Sequence, residues 1–406
     1  MGDLVAIFLM FLSLLACWNY APLRARPPVL WLVCASLLVR YAICFCEAFL
    51  FRMVASIEDA DGIHLEAADP TLTAKLPYTQ LLRLVYEAFG VSKLLGETLS
   101  VVTFLAAIFF FIELIRWLRQ ERHFFGLVAL YALLPSLVIH TSLTLREASQ
   151  CLTFMAGLTG ALLLGEKKLA VAIPLIGLSL LGMSLLHNGL ALYAVLFGIL
   201  SIAWTSAKAK ENGVLILLAC LVAGPLLAPK LASRLSEKSV VMRQVLSGNV
   251  VAYAEKYRTG VENARSSYGI ELNAGSLSGL VTTLPAILFM YMFAPLPWQI
   301  RGFLDIYAFA EAALRLGLCW GAWVNIKEAS PVLRGRLVFV LGVSLLLEFL
   351  WATGTTNWGT AIRHHSMAYG GLLLVGGGPL LSFEIDPLKR SLLRRRKRRQ
   401  AQTAFG

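Results

Sequence analysis

The chain has 406 residues, 58% of them hydrophobic and only 15% charged, with a mean hydropathy of +0.72. A water-soluble domain of this size cannot bury so much apolar surface, so soluble enzymes and soluble binding modules are excluded. The formal net charge of +12 is largely local, because eight positive charges sit in "KRSLLRRRKRR" (389–399). A basic cluster after a last membrane helix marks the cytoplasmic side and favours anionic lipid head groups, so no nucleic-acid partner is expected.

Taken in chain order, apolar runs of roughly the ~20 residues that span a bilayer recur throughout. The first, 4–21, lacks a basic region before it and a small-residue cleavage site after it, and is expected to be a retained helix. A second run covers 28–51. Residues 52–96 form a longer connection with an acidic patch, "EDADGIHLEAAD" (58–69), that reads as a solvated loop. It is followed by "LPYTQLLRLVYEAFG" (76–90), where Leu81, Leu82, Val85, Ala88 and Phe89 recur at helical spacing and predict a helix lying along the interface.

Further runs cover 97–117, 124–141, 147–165, 168–186, 189–205, 213–232, 279–296, 303–323, 335–353 and 364–382. The connections "RAR" (24–26), "RWLRQERH" (116–123), "EKK" (166–168) and "KAKE" (208–211) are basic and read as cytoplasmic. That puts 52–96, 141–146, 187–188 and the loop before 364 on the opposite face. "NIKEASPVLRGR" (325–336) also reads as cytoplasmic, yet three runs separate it from "KAKE", and three crossings cannot return to one side. Either 213–232 or the "FAPLPWQIRG" region (293–302) is therefore expected to be re-entrant. The total comes to about 11 or 12 transmembrane helices.

The fold class expected is all-α and polytopic, because helices satisfy every backbone group of such runs in lipid. A single transmembrane domain over 1–388 carries two extracytoplasmic loops with interfacial helices, 52–96 and 233–278, and ends in a basic cytoplasmic tail, 389–406. The seven cysteines all lie in apolar segments, so neither a disulfide framework nor a zinc site is indicated. No internal repeat is evident.

Ionisable residues at the membrane edge are the places to look for chemistry, since an arginine at a helix centre costs ~3 kcal/mol on insertion scales. Three features fall on the same expected face. In "HTSLTLREASQCLT" (140–153), Arg146, Ser149, Gln150 and Thr153 follow helical spacing. His187 with Asn188 closes "LLGMSLLHN", and Arg363, His364 and His365 stand in "NWGTAIRHH" (357–365). Each alone is more often an interfacial anchor or helix-end residue than a ligand. Two arginines together make an anion site, because the guanidinium fork binds phosphate bidentately and stays charged. Arg258, within the basic and tyrosine-bearing 233–278 segment, is a further candidate for that anion. The unperturbed pKa of a histidine suits a general base, which makes His187 and His364 candidates, and Glu58, Asp59 and Asp61 of the acidic patch are rivals for that role or for a divalent metal. The glycines near 370–378 read as close helix packing.

The stretch "LPSLVIHTSLTLREASQCLTFMAGLTGALLLGEKKLAVAIPLIGLSLLGMSLLHNGLALY" resembles the central core of the EpsG and O-antigen-polymerase (Wzy-like) group of bacterial polysaccharide-assembly proteins. "MFAPLPW" (292–298) and the late Arg363 extend the likeness, which covers roughly residues 75–380. The resemblance implies a GT-C-like glycosyltransferase without metal or other cofactor, in the bacterial inner membrane. Its implied activity joins undecaprenyl-diphosphate-linked repeat units on the periplasmic face. Arginines matching Arg146 and Arg363 would hold the donor diphosphate, with Gln150 and Arg258 as further candidates from the residue pattern alone, and His187, His364, Glu58 or Asp59 would take the acceptor proton. Implied partners are the lipid-linked glycan, membrane lipids, a chain-length regulator and a flippase. A ligase or another lipid-linked-sugar transferase uses the same donor. A flippase or transporter of lipid-linked glycans is the alternative from another class.

Overall fold

Proline and serine set many of the helix starts. A computed structural model describes residues 1–51, 57–74, 76–205, 266–268 and 277–404, and its regular structure is helical, with one isolated antiparallel bridge between Ser267 and Asn357. The helices used below are α1 (Gly2–Asn19), α2 (Pro27–Phe49), α3 (Ile57–Ala68), α4 (Pro77–Phe89), α5 (Lys93–Trp117), α6 (Phe124–Leu133) and α7 (Pro135–His140). They continue with α8 (Glu147–Gly165), α9 (Leu169–Leu186), α10 (Asn188–Trp204), α11 (Leu277–Phe293), α12 (Phe303–Glu328), α13 (Pro331–Gly354) and α14 (Trp358–Ala404). Proline lies in the first helical positions of α2, α4, α7 and α13, where its missing N–H costs nothing. Ser92 caps α5, its Oγ accepting the Leu95 N–H at 3.0 Å.

Six described helices (α1, α2, α5, α8, α9 and α13) are long and apolar enough to cross a bilayer. Large apolar side chains such as Phe8, Trp31, Leu178, Val195 and Trp323 stand exposed on the outside of the bundle. Facing lipid, such side chains need no protein cover. The protein is an all-α, polytopic membrane protein.

The two rims differ. At one, Arg336 donates to the Trp117 carbonyl at 3.0 Å and pairs with Glu166, while the Lys168 ammonium sits 5.0 Å from the Trp117 ring centre. The basic connections after α5, after α8 and before α13 therefore meet on one side. At the other rim lie α3, α4, the starts of α5, α8 and α14, and the ends of α2, α9 and α13.

Several elements depart from the sequence expectation. The acidic patch is not a solvated loop but the helix α3, which presents Ala60, Ile63 and Ala67 inward. The interfacial helix at α4 buries Thr79, Leu82 and Tyr86, whereas Leu81, Leu84 and Phe89 face outward. Helix α5 begins at Lys93 rather than at 97, so Lys93 and Glu97 lie one turn apart on it. Helix α14 begins at Trp358 rather than at 364 and continues to Ala404, through the basic stretch 389–399. The expected 213–232 helix and most of the 233–278 segment lie outside the described residues.

The 124–141 run is broken at Pro135 into α6 and α7. The break frees two backbone groups that lipid could not satisfy. Arg40, fully buried on α2, donates to the Ala132 carbonyl at 2.8 Å. Glu311 on α12 accepts the Ser136 N–H at 2.9 Å. Arg40 also donates to Thr141 Oγ1 at 3.0 Å, so the same guanidinium pins the segment that leads to α8. On α12, Arg315 donates to the Met292 carbonyl at 2.7 Å and to the Tyr369 hydroxyl at 2.7 Å, capping the end of α11 inside the bundle. Helices α12 and α14 approach closely at Gly321 and Gly376, where an added Cβ would lie 2.1 and 2.0 Å from the backbone oxygens of Gly376 and Leu318.

Candidate functional site

Arg363 is the centre of the rim formed by α3, α8, α9, α13 and α14. It is not at a helix start, as the sequence implied, but in the second turn of α14, which turns its side chain into the bundle. Its Nε donates to Glu147 of α8 and its Nη1 to Asp59 of α3. The two partners differ in kind: the Glu147 side chain is 3% exposed and that of Asp59 66%. Glu147 is thus a fixed, desolvated counter-ion, and Asp59 is a solvent-facing one contributing at most about 1 kcal/mol. Exchange of Asp59 for another anion would leave the Glu147 pair intact.

Arg146 immediately precedes α8, a position where the helix dipole disfavours a cation. The structure supplies the compensation. Arg146 Nη1 donates to the carbonyl of Leu186, at 3.2 Å, at the negative end of α9. Glu147, the first residue of α8, is an acid at the positive end of its own helix. Arg146 and Arg363 both act electrostatically on Glu147, as does His140.

His187 caps α10, its Nδ1 accepting the Gly189 N–H at 3.0 Å. A neutral ring used this way carries its proton on Nε2 and so presents a donor rather than a base. His364 has the opposite arrangement. Its Nδ1 lies 2.9 Å from Thr355 Oγ1, and that hydroxyl donates its hydrogen to the Trp351 carbonyl at 2.8 Å. With the single hydroxyl hydrogen already used, His364 Nδ1 must be the donor, which leaves the lone pair on Nε2. The Trp351 ring holds both histidines, stacked on His364 at 4.0 Å and 20° and edge-on to His187 at 4.7 Å and 62°. Arg363, His187 and Arg146 all act electrostatically on His364. Two arginines and two histidines from three separate segments therefore gather on one rim.

The other expected site residues sort differently. Gln150 is buried one turn along α8. Glu58 is exposed on α3, and Asp59 serves Arg363 rather than standing as an independent base. Arg258 lies outside the described residues. The end of its segment nevertheless reaches this rim, where the Tyr268 N–H donates to the Thr356 carbonyl at 2.9 Å and the Trp358 N–H to that of Ser266 at 3.1 Å. His365 faces the interior, fully buried, between Glu348 (Nδ1 to Oε2, 2.7 Å) and the Tyr291 carbonyl (3.0 Å).

Sequence reading missed Glu147, Trp351 and Thr355. A carboxylate beside an arginine at the start of an apolar helix was a visible signal for the first. Trp351 and Thr355 carry no signal of their own, since their role depends on how α13 meets α14. Among the buried polar atoms here with no hydrogen-bond partner are the Trp351 indole nitrogen and Glu147 Oε2. Comparisons with protein-family models, with curated proteins and with solved structures found no match to this chain.

Proposed function

We propose that the protein is a polysaccharide polymerase of the bacterial inner membrane that joins undecaprenyl-diphosphate-linked repeat units on the periplasmic face, with its C-terminus in the cytoplasm. The reading extends the resemblance to the EpsG and Wzy-like group. The observation that carries it is the joint placement of Arg363, Arg146 and a histidine with its Nε2 lone pair unused. The donor diphosphate takes the position of the exposed Asp59 carboxylate on Arg363, and Arg146 adds a second cation. The acceptor hydroxyl oxygen attacks the anomeric carbon, and the bond from that carbon to the phosphate oxygen breaks. The electron pair leaves on the diphosphate, where preorganised cations stabilise the developing charge. The hydroxyl proton passes to His364 Nε2. No metal or cofactor is required by these residues.

A flippase or transporter of lipid-linked glycans is the second reading, and buried charge deep in the bundle at Arg315, Glu311 and Glu348 favours it. The first two of these have structural work, capping the end of α11 and the break before α7. The polymerase reading is tested by supplying purified wild-type protein in liposomes with a lipid-linked oligosaccharide. Products longer than one repeat unit are expected, and Arg146→Gln abolishes them while leaving the unfolding temperature near that of wild type. Movement of intact donor across the bilayer without chain extension would support the transporter instead.

A further inference from the structure

Glu348 is a buried charge without a structural task so far. It is fully buried on α13, and its Oε2 lies 2.7 Å from Nδ1 of His365, itself fully buried on α14. The other ring nitrogen, Nε2, lies 3.0 Å from the Tyr291 carbonyl near the end of α11. A carbonyl oxygen only accepts, so Nε2 carries a hydrogen. A neutral imidazole protonated there keeps a bare lone pair on Nδ1, which cannot bond to a carboxylate oxygen. A further proton therefore stands between the two residues, as imidazolium with carboxylate or as imidazole with carboxylic acid.

The end of α11 accounts for the donor on Nε2. The Ala294 N–H still reaches the Met290 carbonyl at 2.9 Å, but the Tyr291 carbonyl would need the N–H that Pro295 lacks. His365 supplies it, as Arg315 of α12 does for the Met292 carbonyl at 2.7 Å. The negative end of a helix favours positive charge at both places.

The charge count leads to the same proton. Glu311 accepts the Ser136 N–H on Oε1 at 2.9 Å and the Tyr369 hydroxyl on Oε2 at 3.2 Å, so it stands as a carboxylate. Arg315 donates to that hydroxyl at 2.7 Å and also acts electrostatically on Glu348. One guanidinium thus faces two buried carboxyls, and one more proton makes the cluster neutral. The neighbouring titratable groups add no cation. Tyr291 of α11 and Cys319 of α12 act on Glu348. On α14, His364 is the neutral ring that donates to Thr355, and Arg363 is held by Glu147 and Asp59. Cys151 of α8 turns its thiol to the Ser366 carbonyl at 3.3 Å.

We propose that His365 and Glu348 form a binding site for one proton inside the membrane domain, occupied at neutral pH. The loaded pair joins α11, α13 and α14 beneath the rim, since Arg363 and His364 are the two residues before His365. Its occupancy does not depend on what the rim binds.

The test uses the full-length protein in lipid bilayers, with histidine isotopically labelled at both ring nitrogens. At neutral pH, NMR is expected to show one histidine with both nitrogens protonated, or infrared spectra a protonated carboxyl that Glu348→Gln removes. Either result places one extra proton on the pair. The histidine signal is assigned by its loss in His365→Gln, or by its change in Glu348→Gln should the first variant not fold. Raising the pH strips the proton and leaves an uncompensated buried carboxylate, so stability present at neutral pH is lost and the unfolding temperature falls. In Glu348→Gln, whose amide replaces a protonated carboxyl, that part of the fall is absent. A neutral His365 beside an ionised Glu348 in wild type at neutral pH would overturn the site. An equal alkaline fall in wild type and Glu348→Gln would do so as well.

Discussion

Arg363 holds two carboxylates that look alike in sequence and differ in what they cost to remove. Breaking the buried pair by Glu147→Gln leaves a desolvated guanidinium, for which a loss of about 3–5 kcal/mol is expected. Asp59→Asn, at a side chain that is mostly exposed, is expected to cost no more than about 1 kcal/mol. Chemical denaturation of the two variants in detergent checks this, and equal losses would contradict the division into fixed and exchangeable partners. The two histidines separate by hydrogen bonding in the same way. His187 is a helix cap, so His187→Ala should cost about 0.5–2 kcal/mol of stability and leave substantial transfer activity. His364→Gln should keep the fold and the donor affinity but lower kcat by about 10²–10⁴-fold. Arg146, His187, Arg363 and His364 were legible in the sequence as polar residues at apolar helix edges. Which histidine keeps its Nε2 lone pair was not, because that depends on the Thr355 hydroxyl and on the Trp351 carbonyl that accepts its proton.

At the scale of elements, apolar runs located the helices well, since each run must be long enough to satisfy its own backbone in lipid. The errors have physical causes. The acidic patch folds as α3 because alternate faces are used: Ala60, Ile63 and Ala67 pack inward, while Asp59 and Asp61 reach Arg363 and Lys93 on different helices. The break at Pro135 was visible, but its consequence was not, because the partners Arg40 and Glu311 come from helices distant in sequence. Arg40 is a single charge inside an apolar run ("LLVRYAIC") and Glu311 stands one turn before Arg315 in another ("FAEAALR"), a signal that could have been followed. Arg40→Met is accordingly expected to destabilise the protein by several kcal/mol and to reduce activity through misplacement of α8. The glycine pair sets a second test at this scale. Gly376→Val drives a side chain into the Leu318 backbone, so α12 and α14 must separate. A clear fall in unfolding temperature is expected, while Gly342→Ala, whose Cβ meets open space, serves as the neutral comparison.

At the scale of the whole molecule, hydropathy alone was enough for the polytopic α-helical class, and charge bias was enough to group the rims. The basic connections around Trp117, Glu166 and Arg336 come together on one side, and the candidate site occupies the other. What makes that site more than a row of interfacial anchors is its net composition: two arginines, one fixed acid, one exchangeable acid and a histidine with an unused lone pair. The central claim is that these groups transfer a glycan from a lipid diphosphate. The most direct measurement is chain extension by purified protein in liposomes given a lipid-linked oligosaccharide, comparing wild type with His364→Gln. Wild type should build chains longer than one repeat unit, and the variant should bind the donor without extending it. Equal extension by the two proteins, or no new glycosidic bond with wild type, would contradict the account.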